Sequence, residues 1–264
     1  MKRILQSLNI LTLLITIGVN YFFNSGQYIA NSMRSISSKY QNLLTPAGYA
    51  FSIWGLIYIG LVGFAFYQAR SMFVKNAEDD FVEKIGPWFV FSNILNALWV
   101  VAFTNDKIGL SIVIMVLLFA CLLKIILNLN MEKWDAQFIY IVAIWWPFSL
   151  YFGWVNVAMA ANASIYLVSL GYTGAPIGPT AWAVLVLLVL AIVVLTMIWT
   201  RNMREYATAA AWGIIAIAVR NWDNNQTVAY TAVAVAALIL INVAAHGYKN
   251  RAYVPIRSLR PKIK

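Results

Sequence analysis

The sequence predicts an all-α integral membrane protein with about eight transmembrane helices. Eight long apolar stretches, separated by short polar turns, account for most of the 264 residues. A stretch of about 20 apolar residues can cross the hydrocarbon layer as a helix, whose backbone polar groups are hydrogen-bonded internally. Hydrophobic residues make up 62% of the chain and charged residues 11%, a composition unlike that of a soluble domain.

The turns place the boundaries of the predicted helices. The fifth span is long and contains Pro147, so we expect a kinked or strongly tilted helix. The seventh span is the weakest, because it is short and rich in small residues. The predicted spans are residues 4–23, 47–69, 87–104, 108–128, 138–167, 179–200, 205–221 and 226–246.

The distribution of Lys and Arg predicts the orientation, since short cytoplasmic loops are enriched in these residues. With the N-terminus inside, 15 of the 19 Lys and Arg residues lie on the cytoplasmic side. Only Arg34, Lys39, Lys107 and Arg220 lie outside. A seven-span topology would place the basic tail outside and remove this asymmetry. We therefore predict a multi-pass protein of the bacterial inner membrane with both termini cytoplasmic.

A change in composition near Pro179 divides the predicted membrane domain. The helices before this residue are dense in Trp, Tyr, Phe and Asn, and those after it are mostly Ala, Val, Leu and Ile. We predict a five-helix bundle over residues 1–168 that carries the function, a three-helix addition over 169–248, and a basic cytoplasmic tail over 249–264.

Two extramembrane segments have distinctive sequences. Residues 70–86 contain acidic and basic side chains, which predict a solvated turn or a short amphipathic helix. Residues 169–179 are rich in Gly and Pro and carry no charge. This second segment suits either a cap on the outer membrane surface or an ordinary connector.

The formal net charge of +10 does not indicate nucleic-acid binding, because the cations are spread along the inner loops and the tail. Attraction to anionic lipid headgroups explains them, so the lipid bilayer is the expected partner.

The polar residues that conventional catalysis requires are sparse. The spans contain no Asp or Glu away from their ends, which argues against an ion-coupled pump. One histidine, His246, and one cysteine, Cys121, make a poor set of ligands for a metal or a haem. We therefore predict a protein that is not an enzyme and has no covalently bound cofactor.

Three of the spans carry aromatic and uncharged polar residues on one helical face. Such faces suit a planar, conjugated ligand held by stacking and a few hydrogen bonds. Alternatively, the Asn residues join the helices and the aromatic residues pack the bundle. The clusters are Phe51, Trp54 and Tyr58 in the second span, Asn93, Asn96, Trp99 and Phe103 in the third, and Trp154, Ala158 and Asn162 in the fifth.

These clusters resemble the motifs of the tryptophan-rich sensory protein family, TspO/MBR, also called the translocator protein or peripheral benzodiazepine receptor family. The resemblance covers about residues 1–168, and Ser169 stands where the family has a second Asn. Helices six to eight lie outside the usual five. The matching elements are Trp54 and Tyr58, then Leu95, Asn96 and Trp99, then Trp154, Val155, Ala158 and Asn162.

The resemblance implies a membrane receptor or binding protein for porphyrins or other planar hydrophobic molecules, and it is compatible with a homodimer. Aromatic residues would form stacking walls, Asn residues would orient the ligand, and Ala158 would leave room for it. A transporter of a hydrophobic metabolite is the alternative function, and a pigment-modifying membrane enzyme is the third. The implied ligand-binding residues are Trp54, Tyr58, Asn96, Trp99, Trp154, Ala158 and Asn162.

Overall fold

A computed structural model describes residues 1–24, 31–74, 80–133 and 136–250, and these residues contain helices and no strand. The fold is therefore all-α, as predicted. Most of the predicted basic tail lies outside the described residues. The eight long helices are α1 (Lys2–Asn24), α3 (Ile53–Phe73), α5 (Trp88–Thr104), α6 (Ile108–Asn128), α8 (Trp146–Ser169), α9 (Pro179–Arg201), α10 (Arg204–Asn221) and α11 (Gln226–Lys249), and the short ones are α2 (Met33–Lys39), α4 (Asp80–Ile85) and α7 (Phe138–Tyr140).

Six helical segments of the described chain are long and apolar enough to cross a membrane, which makes this an integral multi-pass membrane protein. The two other long helices are α5, with 17 residues, and α10, with 18 residues. A helix at each of the eight predicted positions is confirmed. Eight complete crossings remain a prediction. The six segments are Lys2–Phe23, Gly48–Phe73, Ile108–Asn128, Phe138–Ser169, Pro179–Arg201 and Gln226–Lys249.

Helix α10 is weakly apolar, and most of its residues are buried against other helices of the protein. Its buried residues are largely alanine, and it packs against α8 on one side and α11 on the other. A Cβ atom added at Gly153 of α8 would lie 2.2 Å from the carbonyl oxygen of Tyr206. The backbones of α8 and α10 therefore touch, as small residues permit between membrane helices.

The long fifth span is irregular next to Pro147, where the sequence predicts a kink. A π-helical turn, Ile141–Trp145, precedes Pro147 and joins α7 to α8. Proline lacks a backbone N–H and collides with the preceding turn of a regular α-helix, which a wider turn relieves. A Cβ atom added at Gly60 would lie 3.3 Å from the Pro147 ring, so α3 also passes close to this point.

The predicted amphipathic helix between the second and third spans is present as α4. Phe81, Val82 and Ile85 are buried, whereas Lys84 forms an exposed ion pair of 2.6 Å with Asp80. Residues 75–79, which carry part of the predicted acidic turn, lie outside the described residues.

The last three long helices are joined to the first five by hydrogen bonds to the segment that leads into α3. The Ala47 backbone N–H donates to the carbonyl oxygen of Ala216 (2.9 Å). The Trp212 indole N–H donates to the carbonyl oxygen of Ala50 (3.1 Å). Helix α10 thus fixes the backbone immediately before the first aromatic cluster. The division into two segments remains a prediction.

Candidate functional site

Trp54 lies at the centre of an aromatic cluster that joins three of the long helices. Its ring stacks on Tyr58 with centroids 5.5 Å apart and is tilted toward Trp99 at 6.2 Å. Tyr151 and Trp154 of α8 meet it edge-on at 5.6 and 6.4 Å. The aromatic faces of the second, third and fifth spans therefore converge.

Phe51 lies outside helix α3, although the sequence predicts that it shares one α-helical face with Trp54 and Tyr58. Helix α3 begins at Ile53, and Phe51 belongs to the preceding 3-10 turn, Gly48–Ser52. A 3-10 turn is tighter than an α-helix, so side chains rotate further per residue. The Phe51 ring nevertheless lies edge-on to Trp154, with centroids 6.1 Å apart.

Asn96 connects four helices through one buried carboxamide. Its Nδ2 donates to the Tyr151 hydroxyl (2.6 Å). Its Oδ1 accepts from Asn20 Nδ2 of α1 (3.0 Å) and from the Tyr58 hydroxyl (3.3 Å). The side chain is 1% exposed. These bonds make Asn96 a structural centre of the bundle. The sequence did not identify the contact between Asn96 and Tyr151.

Asn93, on the same helix, joins α5 to α1. Its Nδ2 donates to Thr12 Oγ1 (3.1 Å), and its carbonyl oxygen accepts from Thr16 Oγ1 (2.8 Å). These contacts match the alternative interpretation, in which Asn residues hold helices together.

Asn162 has a different environment, because only one side of its carboxamide is paired. Its Oδ1 accepts from Ser111 Oγ of α6 (3.1 Å). Its Nδ2 is buried and has no hydrogen-bond partner. An unpaired buried donor costs about 1–3 kcal/mol. This carboxamide is therefore available to an acceptor from another molecule.

Three indole N–H groups around the same place are also buried without a partner. They belong to Trp54, Trp99 and Trp154. Buried Trp side chains usually find a hydrogen-bond acceptor. Unpaired donors from three helices, next to the free amide of Asn162, form a group that a ligand with acceptor atoms would satisfy.

A small cavity lies between these helices and the segment before α3. Its volume is about 20 Å³, which is room for about one water molecule. Trp54, Tyr58 and Asn96 lie behind its wall. Ser37 and Pro46 belong to the connection between α1 and α3, and the sequence did not indicate Ser37 as a site residue. The lining residues are Ser37, Pro46, Phe51, Trp99, Phe103, Trp154, Val157, Ala158, Ala161, Asn162 and Ile165.

The seven predicted site residues form two groups, those that line the cavity and those that do not. Trp99, Trp154, Ala158 and Asn162 line it, whereas the other three support the wall from behind. A pocket for a drug-sized ligand has about 300–1,000 Å³. The convergence of the three clusters is thus present, but the space between them is closed in this conformation.

The remaining polar candidates lie elsewhere. Cys121 is buried in α6, and His246 packs edge-on against Trp199 with ring centroids 5.2 Å apart. Within residues 1–24, 31–74, 80–133 and 136–250, no three His, Cys, Asp or Glu side chains are grouped as metal ligands.

Comparison with known proteins identifies the family. A search of curated proteins and a search of solved structures each gave no match. A family model described as TSPO-like protein matches residues 6–245, which extends past residue 168 and includes helices α9 to α11. The match covers most of the 264 residues. The chain belongs to the TSPO-like protein family.

Proposed function

We propose that this protein binds a planar hydrophobic ligand of the porphyrin type and serves a sensory or regulatory role in the membrane. The TSPO-like family indicates a membrane ligand-binding or sensory protein, and the nature of the ligand is our inference. The supporting observation is the set of buried, unpaired donors of Trp99, Trp154 and Asn162, which all line the cavity. A flat ligand with acceptor atoms at its edge would stack on the indole rings and accept from these groups.

Binding of such a ligand requires the cavity to open. Ser37 and Pro46 cover it from the connection between α1 and α3, outside the three helices that carry the clusters. Movement of this connection, together with rotation of Phe103, would enlarge the cavity without separating the helices. We propose that the closed cavity belongs to the ligand-free state and that the ligand stabilises a less populated open state.

The proposal involves binding without conventional catalysis, in a protein of the bacterial inner membrane with both termini cytoplasmic. A homodimer is compatible with it. The ligand would be bound non-covalently.

The test is titration of the protein with protoporphyrin IX in detergent, followed by the porphyrin absorbance band and by tryptophan fluorescence. We expect saturable binding that Trp99→Ala and Trp154→Ala together weaken at least tenfold, because two stacking walls are removed. Ala158→Phe should also block binding by filling the cavity. Trp222→Phe is the matched control, since Trp222 is exposed and does not line the cavity. Unchanged affinity in the double variant would refute this site.

Transport of a hydrophobic metabolite is the second candidate. It is favoured by the hydrogen bonds that join α10 to Ala47 and Ala50, because movement of the last three helices would then reach the segment over the cavity. Proteoliposomes distinguish the two functions. A transporter accumulates or releases protoporphyrin IX across the bilayer, whereas a binding protein shows saturable binding with no flux.

A further inference from the structure

A second and much larger pocket lies at the C-terminal end of α8, next to the first cavity, where the helix approaches the start of α9 and the end of α10. Its volume is about 600 Å³, within the range of small-molecule sites. None of its residues belongs to the three aromatic clusters. The lining residues are Gln41, Asn42, Leu43, Leu44, Ser164, Leu167, Val168, Tyr172, Thr173, Gly174, Pro179, Thr180, Trp182, Ala183, Arg220, Asn221, Asn224 and Asn225.

The uncharged Gly- and Pro-rich connection between α8 and α9 forms one wall of this pocket. Gly174 has a φ of 92°, and a Cβ atom there would lie 2.4 Å from the Pro179 nitrogen. The connection is therefore folded tightly onto the start of α9. Its Tyr172 ring meets Trp182 edge-on at 6.0 Å, and the Tyr172 hydroxyl donates to the carbonyl oxygen of Ala175 (2.7 Å). These contacts fix a rigid aromatic wall.

The amide side chains of the pocket are held by the protein itself. Asn225 Nδ2 donates to Thr180 Oγ1 (2.8 Å), which joins the start of α11 to the start of α9. Asn221 Nδ2 donates to the carbonyl oxygen of Leu43 (2.9 Å), which joins the end of α10 to the segment before α3. The pocket is therefore a preformed space with fixed walls.

Arg220 is the one charged residue among the described residues that line the pocket. Among the described residues its guanidinium forms no ion pair, whereas Lys39, another cation predicted to lie outside, pairs with Asp106. Asp223 follows on the next turn but does not line the pocket. A free guanidinium presents a planar set of donors that matches a carboxylate, so the charge of the pocket favours an anion.

We propose that this pocket binds an amphipathic organic carboxylate of drug-like size, with the carboxylate on Arg220 and the apolar body against Tyr172 and Trp182. The apolar lining around Leu167 and Val168 would receive the remainder of the ligand. The ligand would enter from the side of the membrane that the charge distribution predicts to be outside. The pocket and the cavity of the aromatic clusters share no lining residue, although Ser164 lines the pocket and the adjacent Ile165 lines the cavity.

The test is equilibrium dialysis of radiolabelled naphthalene-2-carboxylate against the full chain in phosphatidylcholine nanodiscs. We expect saturable binding that Arg220→Gln weakens about tenfold, since loss of one charge-assisted contact is worth about that much. Trp182→Ala should weaken it through loss of the wall. Lys107→Gln is the matched control, because it removes an exposed cation that does not line the pocket. Naphthalene-2-carboxamide should compete poorly.

Three outcomes would overturn the proposal. They are absence of saturable binding, equal competition by the carboxamide, and unchanged affinity in a folded Arg220→Gln protein. A parallel titration in nanodiscs with added phosphatidylglycerol identifies a different occupant. If anionic lipid displaces the carboxylate and does so only when Arg220 is present, a lipid phosphate holds the guanidinium and the carboxylate assignment is wrong. The Trp99→Ala and Trp154→Ala variant should leave this binding unchanged.

Discussion

Two neighbouring spaces along the C-terminal half of α8 have opposite character. The aromatic cavity measures about 20 Å³, and three of its lining residues, Trp99, Trp154 and Asn162, have buried donors without acceptors. The pocket beside Arg220 measures about 600 Å³, and its Asn225 and Asn221 amides are paired within the protein. Unpaired buried donors destabilise a closed cavity, so the first site gains most from a ligand. The second is preformed and needs only a matching charge. A binding site can therefore be recognised by buried donors that lack acceptors or by an open volume. In this protein the first feature belongs to the aromatic cavity and the second to the pocket beside Arg220.

The largest expected effect comes from the close contact between α8 and α10. Gly153→Leu should destabilise the protein by about 3 kcal/mol or more, because the side chain would collide with the Tyr206 backbone and force α8 and α10 apart. Thermal unfolding in detergent measures this change. Gly55→Ala is the control, since a Cβ atom there meets nothing within 4 Å. If Gly153→Leu is as stable as the control, the close approach of α8 and α10 is wrong.

Replacement of the amide behind the aromatic cavity should have the next largest effect. Asn96→Ala should cost about 2–4 kcal/mol, because it leaves Tyr151, Tyr58 and Asn20 without this shared partner and creates a void. Chemical denaturation in detergent gives the free energy of unfolding. Asn105→Ala is the matched control, since Asn105 is exposed and bonds within its own helix. Equal losses in the two variants would contradict the central role of Asn96.

A titratable residue remote from both spaces should affect stability without affecting binding. Burial, with the negative charge of Glu205, raises the pKa of Glu132 from 4.5 to about 8. The folded state then binds more protons than the unfolded state, so stability is full below about pH 4.5 and falls as the pH rises toward 8. Thermal unfolding at pH 5 and pH 8 should reveal a loss of roughly 1–2 kcal/mol, because the half-buried side chain can turn toward water.

Glu132→Gln removes this titration and should reduce the loss, with a remainder due to Glu205, whose pKa is also raised by burial. Protoporphyrin and naphthalene-2-carboxylate binding should be the same in the variant and the parent protein. A pH dependence that persists undiminished in Glu132→Gln would show that another group causes it.

The smallest expected effects compare one Asn from each region. Asn225→Ala should cost about 1 kcal/mol, because Asn225 Oδ1 caps the start of α11 by accepting from the Val228 backbone N–H (3.1 Å). Asn162→Leu should change stability by less than about 0.5 kcal/mol or raise it, because it removes an unpaired donor. Ser111 Oγ keeps its bond to the carbonyl oxygen of Ile108 (2.8 Å).

Protoporphyrin binding should also differ between these two Asn variants. Asn162→Leu should weaken protoporphyrin binding, whereas Asn225→Ala should leave it unchanged. A large loss of stability in Asn162→Leu would mean that its amide supports the fold rather than a ligand.

Local patterns were sufficient to place the helices and the faces that carry the aromatic residues. A run of apolar residues identifies each span, and Pro147 indicates the irregular turn before α8. The spacing of Trp154, Ala158 and Asn162 puts them on one face, and helical spacing also indicated Trp99, the fourth predicted site residue that lines the cavity. The hydrogen bond between Asn96 and Tyr151 could not be predicted, because Tyr151 lies 55 residues away on another helix and its hydroxyl could have pointed elsewhere.

The sequence by itself determined the membrane class, the positions of eight helices and the resemblance that the family match supports, because hydrophobic burial and helical periodicity act over neighbouring residues. Only the tertiary structure decided that the space between the indole rings is closed, that α10 packs backbone to backbone on α8, and that an open pocket lies beside Arg220. Those features depend on how separate helices pack against one another. The distance between two helices is fixed by small residues such as Gly153, whose effect becomes visible only when the facing backbone is known.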